Sequence, residues 1–368
     1  MFNLKDYGYT GPGYGADALR HGGLVPGRVI EARRELYKLI CGHGEVPAEL
    51  SGAFYHAAKL REDFPVVGDF VLIKYNALGN SLISELLPRR TKFSRVDLLG
   101  HAEGYAKNVQ EQVVAANFDS VFILCSLNYD FSPHRIARYI TAALRSGGFP
   151  VVLLTKADLV EDFAGQTAAV RKIAGESPVI PVSSITGFGL GELAPFLAPG
   201  KTVVFLGSSG VGKSSLLNAL AGEAVMDVKA IRDSDSKGRH TTSHRQMYRL
   251  ASGALVIDTP GMRELGLWDA GEGVSLAFAG LEALLSRCRF ANCSHQSEPG
   301  CAVLAALAEG SLLPELWKLY QAQKREAARV EQKAAYLKEK KTRHKTIARQ
   351  IREQYAARDR LGRGHGDE

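Results

Sequence analysis

One stretch decides the fold of the central part of the chain: Gly207-Ser208-Ser209-Gly210-Val211-Gly212-Lys213-Ser214-Ser215. It fits the pattern G-x-x-x-x-G-K-S and lies between an apolar run at 203–206 and a helical pattern that begins at Ser214. Glycines let a backbone wrap an anion, and the N–H groups at a helix start point towards it. The stretch therefore predicts a phosphate-binding loop, in which Lys213 reaches the β and γ phosphates and the Ser214 hydroxyl binds magnesium.

Buried-strand patterns surround this loop on both sides. Apolar runs occur at 121–124, 151–154, 179–182 and 254–257, and helical patterns lie between most of them, at 132–145 and 164–173. Strands that alternate with helices are typical of a mostly parallel sheet covered on both faces. We therefore predict an α/β domain over residues 110–267.

A second motif indicates which nucleotide binds. Thr155, Lys156, Ala157 and Asp158 follow the run at 151–154 and match the [N/T]-K-x-D guanine motif of GTPases. The Asp158 carboxylate can accept hydrogen bonds from N1–H and the exocyclic amine of guanine, a pair that adenine lacks. Ser183 and Ser184 follow the next strand, where they form either a second loop that contacts the base or an ordinary turn.

The switch motif follows the last strand of the domain. Asp258-Thr259-Pro260-Gly261 matches D-x-x-G, in which Asp258 would hold magnesium through water and the Gly261 N–H would sense the γ phosphate. Most GTPases have the phosphate loop first, whereas here the guanine motif precedes the loop and the switch comes last. The domain is therefore predicted to be circularly permuted, which a core tolerates when its old termini lie close together.

Three cysteines and a histidine form a cluster directly after the switch: Cys288, Cys293, His295 and Cys301, spaced C-x₄-C-x-H-x₅-C. Four soft ligands of these types suit one tetrahedral zinc ion with no open position, hence a structural site. The alternative is a set of unrelated buried cysteines. We assign residues 268–320 to a zinc-binding domain.

The N-terminal part of the sequence contains short strand patterns without helical patterns between them. After a leader at 1–25, strand patterns at 28–32, 36–41, 69–74 and 81–86 predict a small β-barrel of the OB type over residues 26–90. Such a barrel can bind RNA or act as a spacer. Residues 91–109 are interpreted as a basic linker that leads into a helix.

The charge of the chain lies mostly near its C-terminal end. The net charge of the 368 residues is +7, and residues 321–360 hold 13 Lys and Arg against 5 Asp and Glu. We predict a basic helical tail over residues 321–368 that contacts RNA, coats a membrane or forms a solvated face. No apolar run approaches the roughly 18 residues of a membrane span, and Met1–Asp6 carry no signal core. A cytoplasmic protein is therefore expected.

The permuted motif order, the cysteine spacing and Gly238-Arg239-His240-Thr241-Thr242 together resemble the ribosome small-subunit-dependent GTPase A family. The resemblance covers roughly residues 26–320. It implies an OB barrel, a permuted GTPase domain and a C-terminal zinc domain. It also implies a role in late maturation of the bacterial small ribosomal subunit, with GTP hydrolysis stimulated by that subunit.

The catalytic group is not the one that Ras-type GTPases use. They place a glutamine just after D-x-x-G to orient water, but Met262 stands there and its thioether cannot do so. His240 is the best candidate, and the resemblance points to it too, although it could be a polar loop residue or an RNA contact. Thr242, with Thr241 as the fallback, is the candidate switch threonine that closes over magnesium.

The expected protein is a monomeric GTPase that binds GTP and GDP with magnesium, holds one structural zinc, and contacts the small ribosomal subunit and its rRNA but no membrane. Two alternatives stay open. One is a permuted GTPase that acts on another RNA or on the large subunit, and the other is a nucleotide-gated RNA-binding module with negligible turnover.

Overall fold

A computed structural model of the chain describes residues 2–11, 23–33, 36–99, 108–128, 131–224, 245–258, 270–329 and 332. Within these ranges the strands are β1 Val25–Arg33, β2 Leu36–Cys41, β3 Gly44–Leu50, β4 Phe70–Lys74, β5 Ser81–Leu86, β6 Lys92–Leu99, β7 Asn108–Ala116, β8 Ser120–Ser126, β9 Phe149–Thr155, β10 Val179–Pro181, β11 Thr202–Gly207, β12 Arg245–Arg249 and β13 Leu255–Asp258. The α-helices are α1 Gly52–Ala57, α2 Pro133–Arg145, α3 Ala164–Ala174, α4 Lys213–Ala221, α5 Ala270–Ala277, α6 Ala279–Leu285, α7 Ala302–Ala308 and α8 at 314–329.

The N-terminal strands close into the predicted barrel. Their order is β1-β2-β3-β5-β4, and β4 pairs again with β1. The pair β3–β5 is parallel and the other pairs are antiparallel. Val29, Leu39, Val71 and Ile83 fill the interior and are fully buried. Closure leaves the barrel with few free strand edges, and its only further partner among the described strands is β12.

The central domain confirms the predicted α/β architecture. Parallel strands run in the order β10-β9-β8-β11-β13, and β12 adds an antiparallel edge. Along each strand, successive side chains point alternately into two separate apolar layers, one on each face of the sheet. Helices α2 and α3 cover one face, and α4 with the 3-10 helix Leu190–Phe196 covers the other. The carboxyl ends of the parallel strands meet at one edge of the sheet, and the phosphate loop, guanine motif and switch all begin there.

The segment interpreted as a linker with a helix is instead an antiparallel hairpin. Strands β6 and β7 pair from Lys92↔Ala116 to Leu99↔Asn108, with a register shift after Phe93. Phe93 and Val113 are buried, so the hairpin contributes to the core although many of its residues are charged or polar. The helix prediction was wrong because the two segments pair backbone to backbone along the hairpin, and valine side chains pack well on its pleated surface.

A buried arginine joins the barrel to the central domain. Arg28, on β1, donates hydrogen bonds to the carbonyls of Gly68 (3.2 Å), Asn117 (2.8 Å) and Tyr7 and to the Thr202 hydroxyl (3.0 Å). Burial lowers the pKa of Arg28 to about 9, so the guanidinium is still charged at neutral pH. It therefore connects the N-terminal segment, the barrel and the start of β11.

The C-terminal helices pack on the central domain. In α8, Gln323 and Ala327 are buried against it, Arg138 of α2 forms a 2.8 Å ion pair with Glu326, and the Thr141 hydroxyl is 2.7 Å from the Gln323 amide oxygen. The part of the predicted tail at 321–329 is thus a packed helix, whereas the rest of it, apart from residue 332, lies outside the described residues. Among the described helices, none combines the length and the apolar character that a membrane span needs.

Candidate nucleotide site and metal cluster

The phosphate loop connects β11 to α4 and depends on glycines. Gly210 (φ 74°) and Gly212 (φ 101°) occupy the left-handed region, and a Cβ atom on Gly207 would come within 2.7 Å of a backbone oxygen of β8. The Lys213 ammonium donates hydrogen bonds to the carbonyls of Gly207 (2.7 Å) and Ser208 (2.6 Å). Its charge is therefore held over the loop, where a β or γ phosphate would lie.

The guanine motif contacts the phosphate loop directly. The Thr155 hydroxyl, which is buried, donates a 2.6 Å hydrogen bond to the carbonyl of Val211, 56 positions along the chain. Lys156 adopts a left-handed conformation (φ 61°), and the Ala157 N–H donates to the Val182 carbonyl. These contacts bring the two motifs into one site, and they leave the Asp158 side chain exposed at the strand edge.

The second base loop is attached to the first through its serine. The buried Ser183 hydroxyl donates a 2.5 Å hydrogen bond to the Asp158 carboxylate and accepts hydrogen bonds from the N–H groups of Ile185 and Thr186. Ser184 is half-buried next to it. Because both lone pairs of the serine and its proton are used, the loop fixes the direction in which Asp158 presents its second oxygen.

The switch aspartate lies at the same edge as the phosphate loop. Asp258 ends β13, which pairs in parallel with β11 through Val204↔Ile257, and only 7% of Asp258 is exposed. Its carboxylate and the Ser214 hydroxyl in the first turn of α4 are oxygen donors of the kind that Mg²⁺ prefers, so these residues fit that ion. His240, Thr241, Thr242 and Gly261 lie outside the described residues.

The predicted metal cluster is assembled. The ligand atoms of Cys288, Cys293, His295 and Cys301 all lie within 4.8 Å of one another, and His295 Nδ1 is 3.6 Å from the Cys288 sulfur and 3.5 Å from the Cys301 sulfur. His295 reaches this position through a left-handed backbone (φ 59°). Three thiolates and an imidazole at this spacing are compatible with tetrahedral zinc.

The loop that carries these ligands is ordered by a carboxylate. Glu298 accepts hydrogen bonds from the N–H groups of Ser294 (2.7 Å), Gln296 (3.0 Å) and Ser297 (3.2 Å). These bonds, those from Ser294 above all, lower the pKa of Glu298 to about 2. The Cys301 sulfur accepts a hydrogen bond from the Leu304 N–H and so caps α7. Hydrogen bonds within the chain therefore set the shape of the loop that carries the four ligands.

The sequence patterns did not reveal one group of residues beside Asp258. Gln246 and Tyr248 on β12 lie next to the switch strand, and Glu31 of the barrel lies next to Gln246. The alternation of Gln246 and Tyr248 with the buried Met247 was a short period-two signal for this strand. It was missed because five largely polar residues give a weak strand pattern.

Comparisons with known proteins show which family the chain is similar to and over which residues. The family model described as RsgA GTPase matches residues 86–268. A "small ribosomal subunit biogenesis GTPase RsgA 2" of Lactiplantibacillus plantarum is 42% identical over 324 residues, which are 88% of this chain and 89% of that protein. The chain belongs to the RsgA GTPase family. The "small ribosomal subunit biogenesis GTPase RsgA" of Opitutus terrae is also 42% identical, over 83% of this chain and 84% of its own length.

Membership in the RsgA family makes the chain a GTP hydrolase. The family model described as ABC transporter also matches, over residues 193–362. That range includes the phosphate loop, which ABC transporters and GTPases share, but it does not include the guanine motif at 155–158. The RsgA relatives, by contrast, align along most of the chain.

Solved structures support the same fold. The "crystal structure of YjeQ from Thermotoga maritima" has a TM-score of 0.61 at 24% identity and covers 82% of this chain and 98% of its own. That of "YloQ, a circularly permuted GTPase" has a TM-score of 0.60 at 24% identity, with coverages of 84% and 97%. The permuted order predicted from the motifs is confirmed as the fold of this chain.

Proposed function

We propose that the chain is a GTPase that binds the small ribosomal subunit, assists its late maturation and hydrolyses GTP to GDP and phosphate when the subunit stimulates it. The observation that carries the nucleotide part is the Thr155–Val211 hydrogen bond, which joins the guanine motif to the phosphate loop. The ribosomal part is supported by the nearly full-length similarity to relatives named for small-subunit biogenesis.

In this proposal GTP lies along the carboxyl edge of the sheet. Asp158 recognises guanine, aided by the loop at Ser183 and Ser184, and the backbone at 207–215 with Lys213 binds the phosphates. The Ser214 hydroxyl, and Asp258 through water, would hold the magnesium ion, which when bound would neutralise charge on the phosphate oxygens.

The step of hydrolysis needs a group that orients water. We assign this role to His240, since Met262 stands where other GTPases carry a glutamine. Thr242 would close over the magnesium ion, and the Gly261 N–H would contact the γ phosphate. The segment before β12 and the segment after β13 would therefore respond to the nucleotide.

We propose one structural zinc at the Cys288, Cys293, His295 and Cys301 cluster, because the ligand atoms are already close together and all four positions are filled by protein. We further propose a cytoplasmic monomer without membrane contact, whose rRNA affinity comes mainly from the basic segment at 321–360. The exposed β2–β3 surface of the barrel carries Lys38 beside Glu45 and Glu49, a mixed surface that adds little net attraction for phosphates.

Phosphate release tests the proposal directly. It is measured with GTP alone, with small ribosomal subunits and with large subunits. Strong stimulation by small subunits only is expected. Stimulation only by large subunits would reject the small-subunit role, and negligible turnover under every condition would indicate a nucleotide-gated RNA-binding module instead.

The same assay tests the catalytic residue. His240→Ala should keep GTP affinity within about twofold but lose most of the stimulated turnover, roughly 10²-fold or more. The matched control is His56→Ala, since His56 is an exposed histidine on α1 of the barrel, about 100 positions before the guanine motif. Unchanged stimulated turnover in His240→Ala would reject the assignment.

A further inference from the structure

A row of polar residues crosses from the barrel to the switch strand. Barrel strand β1 pairs with β12 through Glu31↔Gln246 and Ala32↔Arg245, and β12 pairs with β13 through Gln246↔Asp258. Glu31, Gln246 and Asp258 are therefore successive partners in one line across three strands. The barrel thus reaches to within two strands of the nucleotide site.

The three side chains share one face of the sheet, because directly opposed residues on antiparallel strands point the same way. Their neighbours Met247 and Ile257 point to the other face, where both are buried in the core. Adjacent strands lie about 4.8 Å apart, so the backbones of Glu31 and Asp258 are separated by about 10 Å. A charge on Glu31 is close enough to act on Asp258 without touching it.

Tyr248 shows that both carboxylates act on the same small region. It is the next residue along β12 that points to this face, and its ring is partly buried. Burial raises the pKa of Tyr248, and the negative charges of Asp258 and Glu31 raise it further. The fields of the barrel carboxylate and of the switch carboxylate therefore overlap at one hydroxyl group.

Glu31 forms an ion pair with a residue that is much more exposed to water than Glu31 itself. Its side chain is only 13% exposed and forms an ion pair with Arg33, whose side chain is 59% exposed. Water screens the charge of Arg33 more than that of Glu31, so the pair leaves a net negative potential on the side that faces Asp258.

We propose that Glu31 is a positioning residue of the nucleotide site, whose charge acts with Asp258 to favour a divalent cation beside the phosphate loop and is opposed by Arg33. The barrel then contributes to cation binding as well as to any contact with RNA. The inference rests on the proposed role of Asp258 as the switch carboxylate.

The expected size of the effect of Glu31 on cation affinity follows from Coulomb's law. A single charge about 10 Å from a divalent ion, in surroundings of effective dielectric constant between about 40 and 80, changes the affinity for that ion about four- to sixteenfold before salt screens it. The screening length is about 10 Å at 0.1 M salt and 3 Å at 1 M, so the effect should shrink to less than about twofold at high salt.

The test is a titration of MgCl₂ against the binding of a fluorescent, non-hydrolysable GTP analogue to the full-length protein, at low and at high salt. Glu31→Gln should raise the half-saturating Mg²⁺ concentration about fivefold, and Arg33→Gln should lower it about two- to threefold. Without Mg²⁺ the affinity for the analogue should move the other way in each variant, since the phosphates are anions. Shifts in the same direction for both variants would indicate lost structure and overturn the proposal.

Two controls separate this inference from the site assignment. Lys38→Gln and Glu45→Gln break a different ion pair of the same barrel, on β2 and β3, and should not change the Mg²⁺ requirement. Asp258→Asn should raise it strongly. If Asp258→Asn has no effect, the site assignment fails and the inference fails with it. If Asp258→Asn acts and the Glu31 and Arg33 variants do not, the inference alone is rejected.

Discussion

At the scale of single residues, the Thr155 hydroxyl and the Val211 carbonyl form a 2.6 Å hydrogen bond in a buried place. The carbonyl belongs to the phosphate loop, so the bond holds the loop to the end of β9. Thr155 therefore has a structural use besides its proposed part in the guanine motif. The [N/T] of the motif predicts a polar residue here, but only the structure shows which atom it binds.

Replacing this hydroxyl by a methyl group gives the first residue-scale prediction. Thr155→Val keeps the side-chain shape but leaves the Val211 carbonyl without its donor, which should lower the free energy of unfolding by about 1–3 kcal/mol. GTP affinity should fall by about tenfold or more, because the loop loses its anchor. Urea denaturation and analogue binding measure the two effects.

Thr167→Val is the matched control for Thr155→Val. Thr167 is also buried in the central domain, but its hydroxyl has no hydrogen-bond partner among the residues that the structure describes. A buried hydroxyl without a partner is unfavourable, so removing it should leave GTP affinity unchanged and leave the free energy of unfolding unchanged or raise it by about 1 kcal/mol. Equal losses in the two variants would mean that the Thr155 bond has no special role.

At the scale of secondary-structure elements, the sequence predicted most of what local patterns encode. The strands at 36–41 and 81–86 and the helix at 132–145 were predicted to within a residue of their bounds. Continuous apolar runs, or a proline near a helix start, are strong signals because they reflect burial and capping directly. The phosphate loop, with its strand and helix, was predicted for the same reason.

The elements that were missed carry weak local patterns. Strand β3 contains Pro47 between exposed glutamates, β6 and β7 are rich in charged or polar residues, and β12 has five mostly polar residues. Each is held in place by pairing with a strand that is distant in sequence or by a hairpin partner. Local propensity does not encode such partners, so neither the β1–β12 pairing nor the role of Arg28 could be predicted.

Arg28 provides the element-scale prediction. Arg28→Met should remove the donors of two buried carbonyls, one half-buried carbonyl and one hydroxyl, and lower the free energy of unfolding by at least about 3 kcal/mol. Arg28→Lys should recover only part of this, because an ammonium group lacks the planar fork that reaches several acceptors. Urea denaturation measures the change.

The control for Arg28 is Arg171→Met, which changes an exposed arginine on α3. It should alter stability by less than about 0.5 kcal/mol. If Arg28→Met proves no worse than this control, the barrel and the central domain are joined by other contacts.

At the scale of the whole molecule, the Cys288–Cys301 segment belongs to a separate small core. Cys301, Phe278, Leu319 and Tyr320 are buried together there, and the ring of Trp317 lies edge-on to His295 at 5.5 Å. Helices α5 to α8 are short except for the last, so a bound metal would provide much of the stability of this region.

Removal of the metal gives the whole-molecule prediction. A strong chelator, or Cys293→Ser, should remove about one zinc per chain and abolish hydrogen-exchange protection over much of 270–320. The parallel sheet should stay protected, and GTP affinity should change less than about twofold. Cys41→Ser, in the barrel, should leave the zinc content unchanged, and a Cys293→Ser protein with full zinc would refute the site.

The pairing of β1 with β12 has a consequence for how the chain folds during synthesis. The barrel is complete by residue 86, but the β12 residues that pair with Glu31 and Ala32 come about 210 positions after them. At translation rates of about 5–20 residues per second, the barrel can fold roughly ten to thirty seconds before β12 emerges. Contacts so distant in sequence form slowly. The folded barrel can therefore act as the template on which the last edge of the GTPase sheet is laid down, and a chain without the barrel would leave β12 as an open, aggregation-prone edge.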